Sequence, residues 1–438
     1  MSKEERISMA FFKLFIKKFL IGIAQGLGIA AGLGALAIIG FFFRSDIKAV
    51  TSGVTTPNSN VVSNVDISTY QPAEKLVNPH EHLIVNQLQI AVPENYDKEY
   101  VNSPEQLLNV LERTDGNVAI YVAPGTYDLT KTIVFNKPNI ILLSEVADKN
   151  SVIFNGKGMR RSKTVENLID IKSSGVVIDG ITMQNAGNHI IQIRSERNAD
   201  FPIIRNCTIR DSYEQLLKVS YDKRNKPNIQ SDSGIVENCL FEYSAGIGPH
   251  YYIGGIDAHG IRNWVIRGNV FKHIASPRNR ISEHAIHLWN NTENNVVENN
   301  IIIDSDRAIG FGMRKRVKGD ENKYIKFSNF GGIIRNNFIY HSDNQDPFGD
   351  TGIVLEDSPN TLVENNYIFM EHSYRRAIEY RFTPTQDVVI KNNHVNRLIS
   401  SRNGGRADLV DNSEELSKTD FLVEIHAFSV KHNIQFTY

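Results

Sequence analysis

Asp257 and His259, within the segment GGIDAHGIRNW (254–264), are the residues whose types and spacing first indicate chemistry. They alternate with Ile256 and Ala258, which is the period of a strand with one apolar face and one solvent-facing polar face. An imidazole accepts and releases a proton near neutral pH, and a neighbouring carboxylate can orient it. The pair therefore predicts a proton-transfer site, provided that neighbouring strands supply the remaining groups.

A six-residue pattern recurs along the chain at intervals of 26 to 37 residues, and each copy follows a second short apolar alternation. The copies are IDGITM, IRNCTI, VENCLF, IRGNVF, VENNII, IRNNFI, VENNYI and IKNNHV, which begin at positions 178, 204, 236, 266, 297, 334, 363 and 390. Short strands and turns at this period are typical of a parallel β-helix, whereas the blades of a β-propeller need about 40 residues. The repeats therefore predict stacked coils.

If the coils stack in register, the strands of the GIDAH series form two outward-facing columns. The first column contains Gln192, Lys218, Asp257, His287, Gly310, Val354 and Glu379, and the second contains Arg194, Ser220, His259, Trp289, Gly312, Glu356 and Arg381. Ionisable and aromatic residues cluster in the middle coils, and long basic insertions flank these coils. These insertions would form basic walls beside the columns, and basic walls in a chain of net charge −1 favour an anionic ligand. The near-zero net charge argues against a nucleic-acid partner.

The fourth position of the six-residue unit should point inward at a bend. It is Asn at five successive copies and Cys at two, Cys207 and Cys239. Stacked asparagine side chains can hydrogen-bond one another as a ladder. The two cysteines would lie about 4.8 Å apart in adjacent coils, so both a disulfide and a pair of packed free thiols are open.

The start of the repeat region has the signals of a capped helix followed by a strand and turn. Ser103, Pro104 and Gln106 fit the N-cap, first and third positions of a helix, and VAPGTY follows it. This helix and the Asn bends resemble the pectate lyase-like superfamily over roughly 103–403. The resemblance implies an all-β, right-handed parallel β-helix with an N-terminal capping helix, and a polysaccharide bound across the GIDAH strands. The fold alone does not decide among lyases, hydrolases, epimerases, esterases and non-catalytic adhesins.

A second resemblance concerns the site itself. Periplasmic mannuronan C5-epimerases have an Asp-Pro-His-Asp motif on this strand, and this chain has Asp257-Ala258-His259-Gly260. The Asp and His positions match, whereas the Pro and the second Asp are absent. The resemblance implies His259 as the base that removes a C5 proton, although a group near that base is missing here.

Proton abstraction beside a carboxylate needs a base, a cation for the developing charge and a proton donor. We predict His259 as base, with Asp257, His287 and Lys218 as the other catalytic candidates. Tyr251, Tyr252 or His287 would be the acid. The predicted substrate-binding residues are Trp289, Arg194, Arg307, Arg314, Tyr251, Tyr252, Glu356 and Arg381. The same groups suit a lyase, which eliminates the 4-O-linked chain, or a C5-epimerase.

Two alternatives stay open at this point. A glycoside hydrolase needs two carboxylates about 5–9.5 Å apart, which Glu356 and Glu379 could supply and which Asp257 and Glu356, about 14 Å apart, could not. A non-catalytic module that binds or scaffolds cell-envelope glycan or protein would have Lys218 and Asp257 as a plain surface ion pair. No metal ligands or cofactor are predicted, but a calcium ion shared by Asp257 and Glu356 stays an alternative, although calcium wants 6–8 oxygens and the sequence does not supply that many here.

The N-terminal part of the chain contains 25 uncharged residues, 19–43, preceded by five lysines and arginines. This length and charge bias predict a single-pass signal anchor with a cytoplasmic N-terminus and the β-helix in the periplasm or outside the cell. Gly22, Gly26, Ala30 and Gly34 form a small-residue stripe that could dimerise. The predicted organisation is a cytoplasmic tail (1–18), the transmembrane anchor (19–43), a tether with little fixed structure (44–95), the β-helix (96–403) and a C-terminal cap (404–438).

Overall fold

The computed structural model of the chain describes residues 75–84, 88–160, 165–313 and 327–434. Within these residues, strands of three long sheets follow one another along the chain, and each pairs in parallel with the equivalent strand of the next coil. The predicted fold class, an all-β parallel β-helix, is therefore confirmed. The predicted first helix is Pro104–Arg113, capped by the Ser103 side chain, and its Leu107 and Val110 close the apolar interior at the first coil.

The strands fall into four sheets, numbered here for reference. The first sheet contains Asp97–Val101, Val118–Val122, Ile140–Ser144, Val177–Asp179, Ile203–Arg205, Ile235–Glu237, Val265–Arg267, Val296–Glu298, Ile333–Arg335, Leu362–Glu364, Val388–Lys391 and Ala407–Val410. The second sheet contains Ile133–Phe135, Ile169–Ile171, Ile191–Arg194, Gln215–Ser220, Gly254–His259, Ile286–Trp289, Ile309–Phe311, Ile353–Glu356, Arg376–Arg381 and Leu398–Arg402. The third sheet contains Gly125–Asp128, Val152–Asn155, Thr182–Ala186, Thr208–Ser212, Leu240–Glu242, Val270–Lys272, Ile301–Ile303, Phe338–His341, Tyr367–Met370 and His394–Val395. The short fourth sheet contains Ser231–Asp232, Ile261–Arg262, Thr292–Glu293 and Asn329–Phe330. The short 3-10 helices are Glu81–Leu83 and Ser195–Arg197, and the C-terminal helix is Lys418–His432.

The six-residue repeat forms the bend between the first and the third sheet. Its third residue takes a left-handed backbone conformation, with φ of 57° at Asn299 and 63° at Gly268, which Asn and Gly adopt most readily. Its fourth residue points inward. Asn269 donates to Asn300 at 3.0 Å, and the ladder continues through Asn337 and Asn366 to Asn393. The predicted asparagine ladder is confirmed.

The two cysteines share this inward column with the asparagines. Cys207 and Cys239 are buried free thiols, which settles the alternative that the sequence left open. The Asn269 side chain accepts from the backbone N–H of Cys239 at 2.9 Å, so the ladder ends on the second cysteine.

The last part of the predicted tether differs from the prediction. Leu83 and Ile90 are buried against the outward face of the first sheet, where they contact a cluster that includes Ile141 and Val177. The Asp179 carboxylate accepts from the backbone N–H of Ile90 at 2.6 Å. The outward face of this sheet is apolar in its first coils, and covering it with an apolar segment removes that surface from water. A structureless tether is therefore wrong for the described part of 75–95.

The C-terminal region also differs from a cap on the last coil. Ala407–Val410 is a strand of the first sheet, so the β-helix continues past the predicted boundary at 403. The helix Lys418–His432 lies along the outward face of the third sheet, where Phe421 and Ile425 pack on Phe338 and Tyr340. The helix covers this face because the outward-facing side chains of the third sheet are apolar.

Among the described residues, no helix has the length and apolar character needed to cross a membrane. The predicted anchor at 19–43 and its small-residue stripe lie outside the described residues, so both stay predictions.

Candidate active site

The strand register brings the predicted columns together on the outward face of the second sheet. Lys218 pairs with Asp257, and Asp257 pairs with His287 in the next coil. His259 pairs with Trp289 in the second column. Parallel pairing without a register shift explains this result, because equivalent positions of the repeat then stack directly on one another.

Four side chains of these columns form what we call the Asp257 cluster: Lys218, Asp257, His259 and Trp289. Lys218 Nζ donates to Asp257 Oδ2 at 2.5 Å, and Trp289 Nε1 donates to Asp257 Oδ1 at 2.7 Å. His259 Nε2 lies 3.3 Å from Asp257 Oδ1 and 3.1 Å from Lys218 Nζ. The carboxylate therefore holds an ammonium, an indole N–H and an imidazole at one point of the sheet.

The cluster is more buried than an exposed strand face would be. The Asp257 side chain is only 4% exposed, and those of Lys218 and His259 are 13% and 15% exposed. Asp257 and His259 thus point outward from the sheet, as predicted. They are nevertheless largely buried, because the neighbouring coils and loops cover them. The predicted ion pair of Lys218 with Asp257 exists, but it is desolvated and shared with the imidazole.

The surroundings set the charges in the cluster. Burial opposes ionisation of Asp257, but the Lys218 ammonium and the His259 ring outweigh it and hold the pKa of Asp257 well below its usual range. Burial lowers the pKa of His259, and the Lys218 ammonium lowers it further. At neutral pH the cluster therefore contains a carboxylate and a neutral imidazole.

The hydrogen-bond partners of His259 bear on its tautomer. Both polar contacts that its ring makes within the described part of the chain use Nε2. Because the Lys218 ammonium only donates, its contact with Nε2 places a lone pair on Nε2 and the ring proton on Nδ1. Nε2 is therefore the basic ring nitrogen, and it lies beside both the Lys218 ammonium and the Asp257 carboxylate.

Two of the other predicted cations, Arg194 and Arg307, have partners within the protein. Arg194 donates to both oxygens of Asp170, at 2.9 and 3.1 Å. Arg307 donates to the backbone carbonyl of Ser282, at 3.0 and 2.6 Å. Arg314 lies outside the described residues.

The predicted aromatic wall is formed by the loop before Gly254–His259. Tyr251 and Tyr252 are 38% and 45% exposed, and Arg280 stacks over the Tyr251 ring with its guanidinium carbon 5.2 Å from the ring centre. Burial raises the pKa of Tyr252, and the negative charge of Asp257 adds to this effect. Tyr252 therefore keeps its proton at neutral pH and is within electrostatic reach of the cluster.

Glu356 and Arg381, the remaining predicted binding residues, lie in later coils of the same sheet. They form an ion pair with each other, and Arg381 also approaches Glu379 at 3.9 Å. Glu379 receives a hydrogen bond from Tyr374 at 2.9 Å and an ion pair from Arg402 at 3.2 Å. We call these residues, together with Arg376 at 3.5 Å from Glu379, the Glu379 cluster. Glu356 lies three strands from Asp257 in the second sheet.

His287 belongs to a second group that sequence reasoning missed. Its ring stacks on Trp289 with centres 5.4 Å apart, and it lies 4.4 Å from the ring of His284. Glu283 Oε2 is 3.4 Å from His287 Nδ1. The available signal was the spacing Glu-His-x-x-His at 283–287, and the structure buries His284.

Neither a protein-family model nor a curated protein sequence matches the chain. Several solved structures do. An alginate lyase from Paenibacillus sp. str. FPU-7 is 12% identical, with a TM-score of 0.38, over 72% of this chain and 99% of that chain. A mannuronic acid specific polysaccharide family 6 lyase from human gut microbiota is 14% identical, with a TM-score of 0.46, over 74% and 84%. The pectin methylesterase from Aspergillus niger is 12% identical, with a TM-score of 0.32, over 76% and 90%. The strand pairing of this chain itself establishes its fold.

Proposed function

We propose that this protein acts on an acidic polysaccharide containing uronate sugars, and that His259 removes the C5 proton of a bound uronate. The observation that carries the proposal is the contact of the His259 ring with both the Asp257 carboxylate and the Lys218 ammonium, which puts a base and a cation at one point of the sheet. The lowered pKa of His259 keeps the imidazole neutral at neutral pH, which is the state that a base requires. Trp289 supplies an aromatic surface beside it, which suits a sugar ring.

The proton abstraction leads to two outcomes that use the same groups. Breaking the bond to the 4-O-linked chain gives a lyase product with an unsaturated end. Returning a proton from the opposite face gives a C5-epimer. Tyr252 is the proposed donor, because it stays protonated at neutral pH and stands in the loop beside the cluster. The proposal includes the predicted anchor at 19–43, which would hold the β-helix at the cell envelope.

Binding of glycan without turnover is the second candidate function. The observation that favours it is that three candidate cations already have partners: Lys218 with Asp257, Arg194 with Asp170, and Arg307 with the Ser282 carbonyl. A substrate carboxylate would have to share these cations. The hydrolase alternative has less support, because Glu356 and Glu379 are each held by arginine.

The test uses the full-length chain with a panel of alginate, pectate and glycosaminoglycans. Absorbance of unsaturated ends detects elimination, and NMR detects inverted uronates. We expect turnover of at least one uronan, and His259→Gln should reduce it by at least about 100-fold, which is typical for loss of a general base. His426→Gln, at an exposed position on the C-terminal helix, is the matched control and should retain full activity.

Two results would count against an enzyme. One is binding of a uronan without any turnover, which supports the second candidate. The other is equal turnover by wild type and His259→Gln, which removes His259 from the chemistry.

A further inference from the structure

Three side chains beside the Asp257 cluster form a separate group with the composition of a metal site. Glu283, His284 and His287 each offer a ligand atom, and these atoms lie within 4.8 Å of one another. His284 and His287 are 3% and 1% exposed. Two imidazoles and one carboxylate are a ligand set that first-row transition metals use, zinc among them.

The ligand atoms of this group are buried without hydrogen-bond partners in the described part of the chain. They are Glu283 Oε2, His287 Nδ1 and both ring nitrogens of His284. Burying polar atoms without partners opposes folding, so four of them in one place need an explanation. A bound cation accounts for three of them, because it would accept one lone pair from each of the three side chains.

The tautomer of His287 also favours a bound cation. Its Nε2 lies 3.1 Å from the backbone carbonyl of Gly312, and a carbonyl only accepts, so Nε2 carries a proton. In a neutral ring, Nδ1 then has a lone pair, and it faces Glu283 Oε2 at 3.4 Å. Two lone pairs at this distance repel unless a cation lies between them or the ring takes a second proton. Donation from the far nitrogen to a carbonyl is the usual way in which proteins orient a metal-binding histidine.

The distances are close to those of a tetrahedral site. Ligands about 2.0–2.1 Å from a tetrahedral zinc ion lie about 3.3 Å from one another. Glu283 Oε2 is 3.4 Å from His287 Nδ1 and 3.9 Å from His284 Nδ1, and all three ligand atoms lie within 4.8 Å of one another, so an inward movement of His284 completes the set. Gly310 of the next coil makes room for this ring, since a Cβ atom there would lie 2.8 Å from His284 Nε2.

We propose that Glu283, His284 and His287 bind a divalent first-row transition metal ion, with zinc as the reference ion. The site has three protein ligands and one open position, which is the arrangement of zinc sites that also bind water or a small ligand. The metal proposal is independent of the proposed polysaccharide chemistry, since it rests on a different set of side chains.

The neighbouring charges allow a cation. Glu283 supplies the one carboxylate among the three ligand side chains. Arg307 lies 3.5 Å from Glu283 Oε2 and is the one cation beside the ligands within the described residues, but its guanidinium donates to the Ser282 carbonyl. The negative charge of Asp257 also acts on this group.

The experiment uses full-length protein freed of metal by dialysis against a chelator. Calorimetry with zinc chloride should show one saturable site per chain. Cobalt chloride should give the visible absorption bands of tetrahedral Co²⁺, and zinc should abolish them. Glu283→Gln and His284→Gln should each weaken zinc binding by at least about 100-fold, since even the loss of a residue that only orients a ligand costs about 10–100-fold. His426→Gln should bind zinc as wild type does.

A further variant separates loss of ligand from loss of fold. Gly310→Ala removes no ligand but displaces the His284 ring, so it should also weaken zinc binding. Circular dichroism checks that each variant is folded. If a variant is unfolded, the zinc stoichiometry and the cobalt spectrum of the wild-type protein test the proposal instead. The proposal is overturned if folded wild type shows no saturable zinc site, or if zinc binding is unchanged in the ligand variants. It is also overturned if ¹⁵N NMR of the metal-free protein at neutral pH shows His287 protonated on both nitrogens and zinc does not displace a proton.

Discussion

The Asp257 cluster and the Glu379 cluster occupy the same outward face of the second sheet, and their central carboxylates lie four strands apart. Both have carboxylates beside cations. In the Glu379 cluster the cations are Arg376, Arg381 and Arg402, which ion-pair with Glu379 or with Glu356. In the Asp257 cluster one carboxylate faces a lysine, an indole N–H and an imidazole.

The difference lies in which groups can change protonation state. Guanidinium groups remain charged at all working pH values, so a carboxylate held by several of them is a fixed structural charge. The imidazole of His259 is kept neutral by burial and by Lys218, so it can take a proton. Acid–cation pairs on a β-helix face are therefore not evidence of chemistry by themselves, and the presence of a titratable partner separates the two clusters.

The largest expected contrast comes from removing each central carboxylate. Asp257→Asn leaves the Lys218 ammonium, which is 13% exposed, without its counter-charge. This should lower the free energy of unfolding by about 3–5 kcal/mol, as for other buried pairs that lose one partner. Glu379→Gln should cost less, because its three arginines keep 22–43% of their side-chain surface exposed and can reach water. Urea unfolding measures both, and equal losses would mean that the clusters do not differ in burial.

The next contrast removes one neutral donor from each carboxylate. Trp289→Phe deletes the N–H that donates to Asp257, and Tyr374→Phe deletes the O–H that donates to Glu379. Hydrogen bonds to charged groups contribute about 1.5–3 kcal/mol, so we expect about 2 kcal/mol for Trp289→Phe. The Tyr374→Phe variant should lose less than half of that, since Glu379 keeps its arginines. Urea unfolding measures both variants. A larger loss of unfolding free energy for Tyr374→Phe than for Trp289→Phe would contradict the expected difference between the two clusters.

The pH dependence of stability sharpens the contrast at His259. Its pKa is lowered in the folded state from the usual 6.5, so the unfolded chain binds more protons below about pH 6.5. The stability that this group contributes is present above pH 6.5 and is lost as the pH falls below it. When the pH is lowered from 7.5 to 5, the free energy of unfolding should therefore fall more for wild type than for His259→Gln. Arg402→Gln, which removes no titrating group, should differ from wild type by the same amount at both pH values.

The smallest expected effect is at the exposed rim of the Glu379 cluster. Arg402 is 43% exposed, and Glu379 keeps Arg376 and Arg381 when Arg402 is lost. Arg402→Gln should change the free energy of unfolding by less than about 1 kcal/mol and leave turnover of a uronan unchanged. A loss of turnover in this variant would place the Glu379 cluster within the substrate-binding surface.

The repeat pattern allowed most of the fold and the partners of His259 to be predicted from sequence. Each copy of the six-residue unit has the same bend, so the register of one pair of coils carries over to the next. For that reason Lys218, Asp257, His259 and Trp289 could be placed side by side before the structure was known. The second position of the unit held a further signal, since Arg205 lies fully buried between Asp179 and Glu237.

The parts that were predicted wrongly lack this periodicity. The described segment before the β-helix and the helix Lys418–His432 cover apolar outward faces of sheets, and their sequences do not say which face they meet. The burial of His284 depends in the same way on how the loop before Ile286–Trp289 folds against the next coil.

The sequence by itself thus determined the coil, its inward asparagine ladder and the outward columns, because these follow from a local period of two and a repeated bend. Tertiary structure alone decided how deeply Asp257 is buried, which cations are already paired, and that Glu283 and His284 meet His287. These features depend on desolvation and on contacts between loops and coils distant in the chain, which no local pattern encodes.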